Sequence, residues 1–593
     1  MRDLRRLPIL YRLLLLHAPY RWWMAGGVAL GLVTVLANFG LLALAGWFLA
    51  SAAAVGLAGY AAQNAFNLFT PAAGVRFFAT ARVLGRYAAR LVDHEATFRV
   101  IAGIRVWLFA RLVPLAPLGL AERGGDVLGK LVADVERLAD FYPRVLAPLA
   151  VAAAASVAMA MVFALVAPAA GVALLLLLAA AGVVVPAAAL RAGAAAGREI
   201  VSIEAGMRAD VIDAVQGMAD LLTCNAAGAM AARIEAADAA LLRRQGRMRN
   251  IDGLAASGSA LLANAAMLAM LAIGVPLVRA GRMPGPDLAL LVLGAMGAFE
   301  ATAPLGQALP LLAQIGASAR RVFEIADRAV PVREPEASPA RPGRLDIELS
   351  GVRLRYGAAQ RRAWALDGLD LRVPEGGRLV LLGRSGAGKS SVANLLLRFA
   401  EYEEGSARLG GVELRDIRGD DARSLFTVVS QRTFLFHGTV RDNLLVARPE
   451  ADDAALWRAL EVARLADFVR RLPERLDTLV GEGGAAISGG EARRLAIARA
   501  ALRDTPWLIL DEPMEGLDAV TAAAVRGALE ALMAGRGVLW MTHRLETVAE
   551  TDEVAVLEAG RVVEAGTVEV LRREGVHLPR LLRLQSELGR LSG

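Results

Sequence analysis

One cysteine, Cys224, stands in the whole chain, so there is no disulfide framework and no paired-cysteine metal or redox motif. Set in Leu-Leu-Thr-Cys-Asn, it reads as a small buried hydrophobe rather than a reactive thiol. Lysine is nearly as scarce: Lys130 and Lys389 are the only two, and arginine carries the remaining positive charge. That charge forms no basic block. A formal net charge of +7 spread along the sequence argues against a nucleic-acid partner and for positive loops facing cytoplasm and anionic lipid. Charge overall is thin as well. With 56% hydrophobic residues and a mean hydropathy of +0.46, part of the chain belongs in a bilayer, and 593 residues exceed one ordinary domain.

The basic N-terminus, with Arg2, Arg5, Arg6 and Arg12, leads into an apolar run too long for a removable signal peptide and without a clear small-residue cleavage site. It reads as a cytoplasmic lead-in. From Trp22 to Trp47 the chain carries no charge and is flanked by Tyr20, Trp22, Trp23 and Trp47, as interfacial aromatic belts require. As a helix this stretch rises about 37 Å, enough for a hydrocarbon core of about 30 Å. Further apolar segments lie at Phe66 to Leu84, Val145 to Leu165, Gly171 to Leu190, Leu254 to Val278 and Leu288 to Leu312. Six crossings put both chain ends on one side. The connections after the second and fourth are long, helical in pattern and arginine-rich, from Arg99 to Arg144 (with Arg123 and Lys130) and from Arg191 to Arg249, hence cytoplasmic. Arg279 and Arg282, before the sixth segment, fit that rule less well.

The second segment holds the least expected residues. Arg82, Arg86, Arg90 and His94 recur every fourth position and so share a helical face, with Arg76 above them. Either the helix has left the bilayer by about Leu84 and these are solvated charges, or they face the bundle interior and line a substrate route. In the second case the ladder attracts a carboxylate-bearing solute or the propionates of a haem, with His94 able to ligate iron and Arg90 beside it.

Pro331, Pro335, Pro339 and Pro342 mark a linker. The expected organisation is a transmembrane domain over 1–325, a linker over 326–344 and a soluble domain over 345–593. In the last, strand-like runs alternate with helical patterns, which implies an α/β layer with a largely parallel sheet. Gly383-Arg-Ser-Gly-Ala-Gly-Lys-Ser-Ser391 follows an apolar run and opens a helix. This is the phosphate loop: Gly383, Arg384, Ser385, Gly386, Ala387 and Gly388 wrap phosphates with backbone N–H groups, Lys389 reaches the β- and γ-phosphates, and Ser390 is placed to ligate Mg²⁺. Ile487-Ser-Gly-Gly-Glu491 precedes an amphipathic helix, and Ser488, Gly489 and Gly490 make a second anion-binding helix start. Trp507-Leu-Ile-Leu-Asp-Glu512 is a strand ending in two carboxylates: Asp511 suits Mg²⁺, Glu512 suits polarising the attacking water. His543 ends another apolar strand, where it can contact the γ-phosphate. Tyr356 could stack on a base; Gln431 has no meaning alone.

The order Tyr356, Gly383 to Ser391, Gln431, Ile487 to Glu491, Leu508 to Glu512, Asp518 and His543 resembles the ATP-binding cassette (ABC) ATPase across residues 345 to 580. Six spans ahead of one cassette resemble a type I ABC exporter half-transporter: an α-helical six-span bundle joined to an α/β P-loop ATPase. Ala45 to Ala50, Pro71 to Arg76, Gly85 to Tyr87, Arg90 to Arg99, Leu115 to Leu118 and Asp511 to Asp518 are further similar to the CydC family, one half of the heterodimeric CydDC thiol exporters. That resemblance implies a CydD-like partner, the bacterial inner membrane with a cytoplasmic ATPase, export of glutathione or cysteine, support of cytochrome bd assembly, and an association with haem. It further implies that Tyr356 stacks on adenine and that Gln431 joins Ser390 and Asp511 around Mg²⁺ beside ATP. Glu512 then directs water, His543 senses the γ-phosphate, and Ser488 to Gly490 complete the partner's nucleotide site. Glu491 stands where the family of cassettes has glutamine, and Glu515-Gly516 where it has Ser-Ala. Leu118 to Asp134 and Met207 to Met230 are the segments expected to transmit cassette closure. The rival readings are a homodimeric lipid or drug exporter and an ATP- and haem-binding membrane regulator.

Overall fold

The structure is a computed structural model that describes residues 7–118, 124–356, 363–431, 433–481, 487–515, 517, 519–543 and 552–583. Arg2, Arg5, Arg6, Arg123, Gly516 and Asp518 lie outside the described residues, as does 119–123 of the first expected transmission segment. The chain forms two compact units: Met1–Val113 with Arg123–Arg328, and Pro114–Glu122 with Ala329–Gly593.

The first unit is entirely helical among the described residues. Its elements are α1 (Ile9–His17), α2 (Arg21–Leu57), α3 (Tyr60–Ala65), α4 (Phe69–Leu112), α5 (Gly124–Ala139) and α6 (Ala147–Val166). They continue with α7 (Pro168–Ala179), α8 (Val185–Gln216), α9 (Met218–Thr223), α10 (Ala227–Arg279), α11 (Gly285–Ala298) and α12 (Leu305–Ala326). Alanine- and leucine-rich sequence in hydrocarbon has no water to satisfy its amides, so it closes them internally as helix. Among the described residues, five helical stretches are long and apolar enough to cross a membrane: Ile9–Leu57, Leu131–Val166, Pro168–Gln216, Ala227–Arg279 and Gly285–Ala326. The remaining expected segment lies in α4, a helix of 44 residues whose arginines keep it out of that set. Between α6 and α7 the chain reverses on one extended residue, Ala167, with Pro168 opening the next helix. Gly171 permits the tight return, since a Cβ there would lie 2.6 Å from the Ala160 carbonyl oxygen. Met159, Phe163, Leu174, Leu178, Met270 and Leu291 fill the apolar centre.

Two features depart from the sequence reading. The last span is not one helix: α11 ends at Ala298, a 3₁₀ turn covers Phe299–Ala301, and Pro304, which lacks an N–H, separates that turn from α12. Cys224 is exposed rather than buried, because it falls at the C-cap of the short surface helix α9.

The second unit carries two main sheets. β1 (Ile347–Leu354), β2 (Leu366–Val373), β4 (Glu404–Leu409) and β5 (Val412–Glu413) form an antiparallel sheet in the order β2-β1-β4-β5. The larger sheet uses β3 (Arg378–Leu382), β6 (Phe426–Val429), β9 (Trp507–Asp511), β10 (Gly537–Thr542), β11 (Glu553–Glu558) and β12 (Arg561–Thr567), in the order β12-β11-β3-β10-β9-β6. The short β7 (Gly438–Thr439) and β8 (Leu479–Val480) pair apart from both. β11, β3, β10, β9 and β6 run parallel, and β12 closes the edge antiparallel. Every residue of β10 is buried, as in β9 up to Asp511, which is why these strands read as unbroken apolar runs. Trp507 is fully buried and donates its indole N–H to the Leu345 carbonyl at 2.8 Å, tying the two sheets together.

Candidate functional site

Three neighbouring parallel strands, β3, β10 and β9, end at the same edge, and their carboxyl ends gather the chemistry. β3 runs into the phosphate loop, from which α13 (Lys389–Leu396) departs. Gly386 and Gly388 hold φ of 82° and 108°, left-handed values that favour glycine. A Cβ on Gly388 would in addition lie 2.5 Å from the Ala365 carbonyl oxygen.

Lys389 is buried under this loop, with 6% of its side chain exposed. Its Nζ donates to the carbonyl oxygens of Gly383 at 2.7 Å and Arg384 at 3.1 Å and pairs with Glu512 Oε1 at 3.4 Å. Ser390 Oγ donates to Asp511 Oδ2 at 3.0 Å, so a hydroxyl and a carboxylate oxygen adjoin where the helix starts. Such hard oxygen donors fit Mg²⁺. Burial pushes the Asp511 carboxyl above its usual range, the Ser390 hydrogen bond opposes this, the neighbouring Glu512 charge adds to it and Lys389 opposes it. Ser391 is buried and its N–H donates to Gly388 O.

Glu512 adopts φ of 48° just past β9, and its N–H donates to the Met541 carbonyl of β10 at 2.9 Å. The strained turn aims the carboxylate between Lys389 and His543, whose Nδ1 lies 3.1 Å from Glu512 Oε2. Glu515 joins them, with one ligand atom each of Glu512, Glu515 and His543 within 4.8 Å of one another. Gln431 Nε2 donates to Glu515 Oε2 at 2.6 Å, which holds the Glu515 carboxyl below its usual range. Arg493 reaches in from the helix Gly489–Leu502 to donate to the Glu512 carbonyl at 3.2 Å.

Tyr356 lies at the end of β1, partly packed on the apolar core, and its hydroxyl accepts from Asn394 Nδ2 of α13 at 3.0 Å. Ser488 is the N-cap of Gly489–Leu502 and is engaged in a reciprocal cap with Glu491. The Glu491 N–H donates to Ser488 Oγ at 3.3 Å, and Ser488 N and Oγ donate to Glu491 Oε2 at 2.9 and 2.8 Å. The residue that departs from the usual glutamine is thus the helix's own capping acid. In the first unit, Arg90 and His94 sit exposed along α4, one turn apart, with the Phe98 ring 6.1 Å from the imidazole.

Lys389, Ser390, Asp511, Glu512 and His543 are therefore one cluster, while Ser488 to Gly490 belong to another helix start. Sequence reasoning missed Arg493 and Asn394, which carry no motif signal. The pairing of Gln431 with Glu515 had only the unusual carboxylate after Glu512-Pro-Met as a hint.

A phosphate loop, a strand-end carboxylate pair and a histidine on one parallel sheet, in a chain that also carries a bundle of membrane-length helices, define an ABC exporter half-transporter. Residues 366–515 match the ABC transporter family. The whole chain aligns with a solved structure described as a bacterial Atm1-family ABC exporter with ATP bound, at 26% identity and a TM-score of 0.79, covering 96% of this chain and 99% of that one. Within that class it belongs to the CydC family. It is 36% identical over 95% of its length, and 97% of the relative's, to the glutathione/L-cysteine transport system ATP-binding/permease protein CydC of Escherichia coli. The CydC protein of Haemophilus influenzae is 29% identical over 94% of this chain and 96% of its own. The chain is an ATP-hydrolysing transporter subunit, a multi-pass protein of the bacterial inner membrane with its ATPase in the cytoplasm.

Proposed function

We propose that this chain pairs with a CydD-like half-transporter and exports small thiols, glutathione and cysteine, to the periplasm by ATP-driven alternating access, in support of cytochrome bd assembly. The observation that carries this reading is the 36% identity to a named glutathione/L-cysteine transporter subunit over nearly both full lengths. Two ATP molecules close a head-to-tail cassette dimer, and their higher affinity for the closed state drives the shift. In each site of this chain's type, Gly383 to Ser391 hold the phosphates, Tyr356 stacks on adenine, and Ser390, Gln431 and Asp511 surround Mg²⁺. Glu512 takes the proton of the attacking water, His543 contacts the γ-phosphate, and Ser488 to Gly490 serve the partner's nucleotide. Hydrolysis resets the bundle, and the segments Leu118 to Asp134 and Met207 to Met230 transmit closure.

The test is uptake of labelled glutathione and cysteine into inverted vesicles, comparing this chain alone with this chain plus its CydD-like partner. ATP-dependent uptake only with both subunits is expected; uptake of neither thiol overturns the cargo. A lipid cargo has less support. The lipid A-core flippase of Desulfotalea psychrophila is 35% identical to this chain, but over only 51% of this chain and 52% of its own.

Haem is the second expected ligand, and the residues fit it. Arg90 and His94 are both exposed on the helical face that also presents Tyr87, Leu91 and Phe98. His94 would hold the iron through a ring nitrogen and Arg90 a propionate, while the three apolar side chains cover the macrocycle edge. Bound haem would supply an iron centre that an imidazole can ligate. Purified His94→Ala complex should lose its Soret band with ATP binding unchanged; an undiminished band overturns the assignment.

A further inference from the structure

The last span carries one carboxylate, Glu300, in an otherwise uncharged run from Leu288 to Leu312. It falls in the 3₁₀ turn Phe299–Ala301, about 22 Å along the helical path from Gly285. A carboxylate at that depth is costly. Its partners come from two other helices. Asn38 of α2, itself buried, donates its Nδ2 to Glu300 and accepts from Arg82 Nη1 at 2.8 Å. One turn further along α4, Arg86 Nη2 lies 3.3 Å from Glu300 Oε1.

Small residues make this meeting possible. Gly85 lets α4 approach α2, since a Cβ there would lie 2.8 Å from Thr34 Oγ1. Gly297 does the same for α11, where a Cβ would meet the Phe39 Cα at 3.4 Å and the Leu42 side chain at 3.0 Å. Both contacts lie within a turn of Asn38, so the backbone positions polar groups that periodicity alone would scatter.

Arg86 faces the carboxylate directly, and Arg82 is linked to it through the Asn38 amide. The Arg86–Glu300 pair is loose, and its side chains keep 56% and 45% exposure. A pair this open is held weakly, and both charges stay within reach of a solute. This one presents an unspent positive charge and an accessible negative one side by side. A purely anionic solute needs only the arginines, and Glu300 repels it; an apolar lipid needs neither.

We infer that Asn38, Arg82, Arg86 and Glu300 form a cargo site for the α-amino acid group, taking the α-carboxylate on the guanidiniums and the α-ammonium on Glu300. Arg86, only loosely paired with Glu300, exchanges it for the cargo's carboxylate in the planar geometry its guanidinium favours. Glu300 is then released to the ammonium, and its repulsion of anions without an ammonium supplies the discrimination. This rests on the thiol-export reading and names the end of the cargo that is held.

The experiment uses the reconstituted complex with its CydD-like partner and measures uptake of three labelled thiols: L-cysteine, N-acetyl-L-cysteine, which lacks the ammonium, and cysteamine, which lacks the carboxylate. The readout is the ratio of KM values, which does not depend on how much protein is active. Wild type should favour cysteine over each analogue by about tenfold or more, the scale of one charge-assisted hydrogen bond. Glu300→Gln should abolish the preference over N-acetyl-L-cysteine alone, and Arg86→Ala the preference over cysteamine alone. Glu300→Asp should retain both. Cysteine uptake with no preference in wild type, or a Glu300→Gln complex that discriminates as wild type does, overturns the site and leaves thiol export standing. Uptake of no thiol at all overturns the export reading and the site with it.

Discussion

Replacing Glu512 with glutamine should move two quantities in opposite directions. The Lys389 ammonium is 3.4 Å from the Glu512 carboxylate, and both side chains are at most 10% exposed. At an effective dielectric of about 20, unit charges at that separation attract by about 5 kcal/mol. Most of this is cancelled by the desolvation that both groups suffer. A residual of about 1 kcal/mol is a reasonable net value, and Lys389 must give it up to turn toward a phosphate. The glutamine keeps the shape and removes the charge, leaving Lys389 held by the Gly383 and Arg384 carbonyls alone. ATP affinity should therefore rise about fivefold, since about 1.4 kcal/mol is tenfold. Hydrolysis should fall by roughly 10²- to 10⁴-fold, the range for loss of a positioned general base, or about 3 to 5 kcal/mol of barrier. Equilibrium binding of a fluorescent ATP analogue and steady-state phosphate release on the purified complex measure the two effects. Weaker nucleotide binding in the variant, or a rate within tenfold of wild type, refutes the reasoning.

Three further outcomes are expected. Glu515→Gln removes one of two carboxylates that crowd with His543 within 4.8 Å and should tighten Mg-ATP by about two- to fivefold, read by the same binding assay. Because burial raises the Asp511 carboxyl above the usual carboxylate range, its proton competes with Mg²⁺ at higher pH than at an ordinary carboxylate. Mg-ATP affinity should fall as pH drops toward that raised value and recover as pH rises past it, and an Asp511→Asn complex should lose this acid-side dependence along with most of its metal affinity. Asp134 of α5, 5% exposed, accepts from Arg321 of α12 at 2.6 and 2.9 Å. Asp134→Ala should destabilise the bundle by about 1.5 to 3 kcal/mol, seen as a lower denaturation temperature in detergent with unchanged nucleotide binding.

The class of fold was legible because its signals are local. A run such as Trp507 to Leu510 needs no partner to declare a buried parallel strand, and Trp22 to Trp47 declares its own length and interfacial rims. The glycine-rich turn before Lys389 likewise states its chemistry in nine residues. What stayed hidden depends on which elements meet. The arginine ladder of α4 was visible as a face, but not that Arg82 and Arg86 would reach Asn38 and Glu300, because helical period assigns a side and not a neighbour. Glu300 was in plain view as a lone acid within a span, and only the break at Phe299–Ala301 places it. The hydrogen bond from Gln431 to Glu515 was likewise hidden, because it is set by how two loops cross. Cys224 was misjudged because apolar neighbours in sequence can sit at a surface helix end, where the next turn offers no cover.

The cap at Ser488 makes the helix Gly489–Leu502 self-sufficient. With Glu491 closing the reciprocal bonds to Ser488, the Ser488 and Glu491 amides are answered by side chains of the helix's own first turn. Under the proposed function, a triphosphate docking at this helix start would meet an acid already lodged at its positive end. A glutamine amide in the same place could donate to a phosphate, whereas the glutamate carboxylate can only accept.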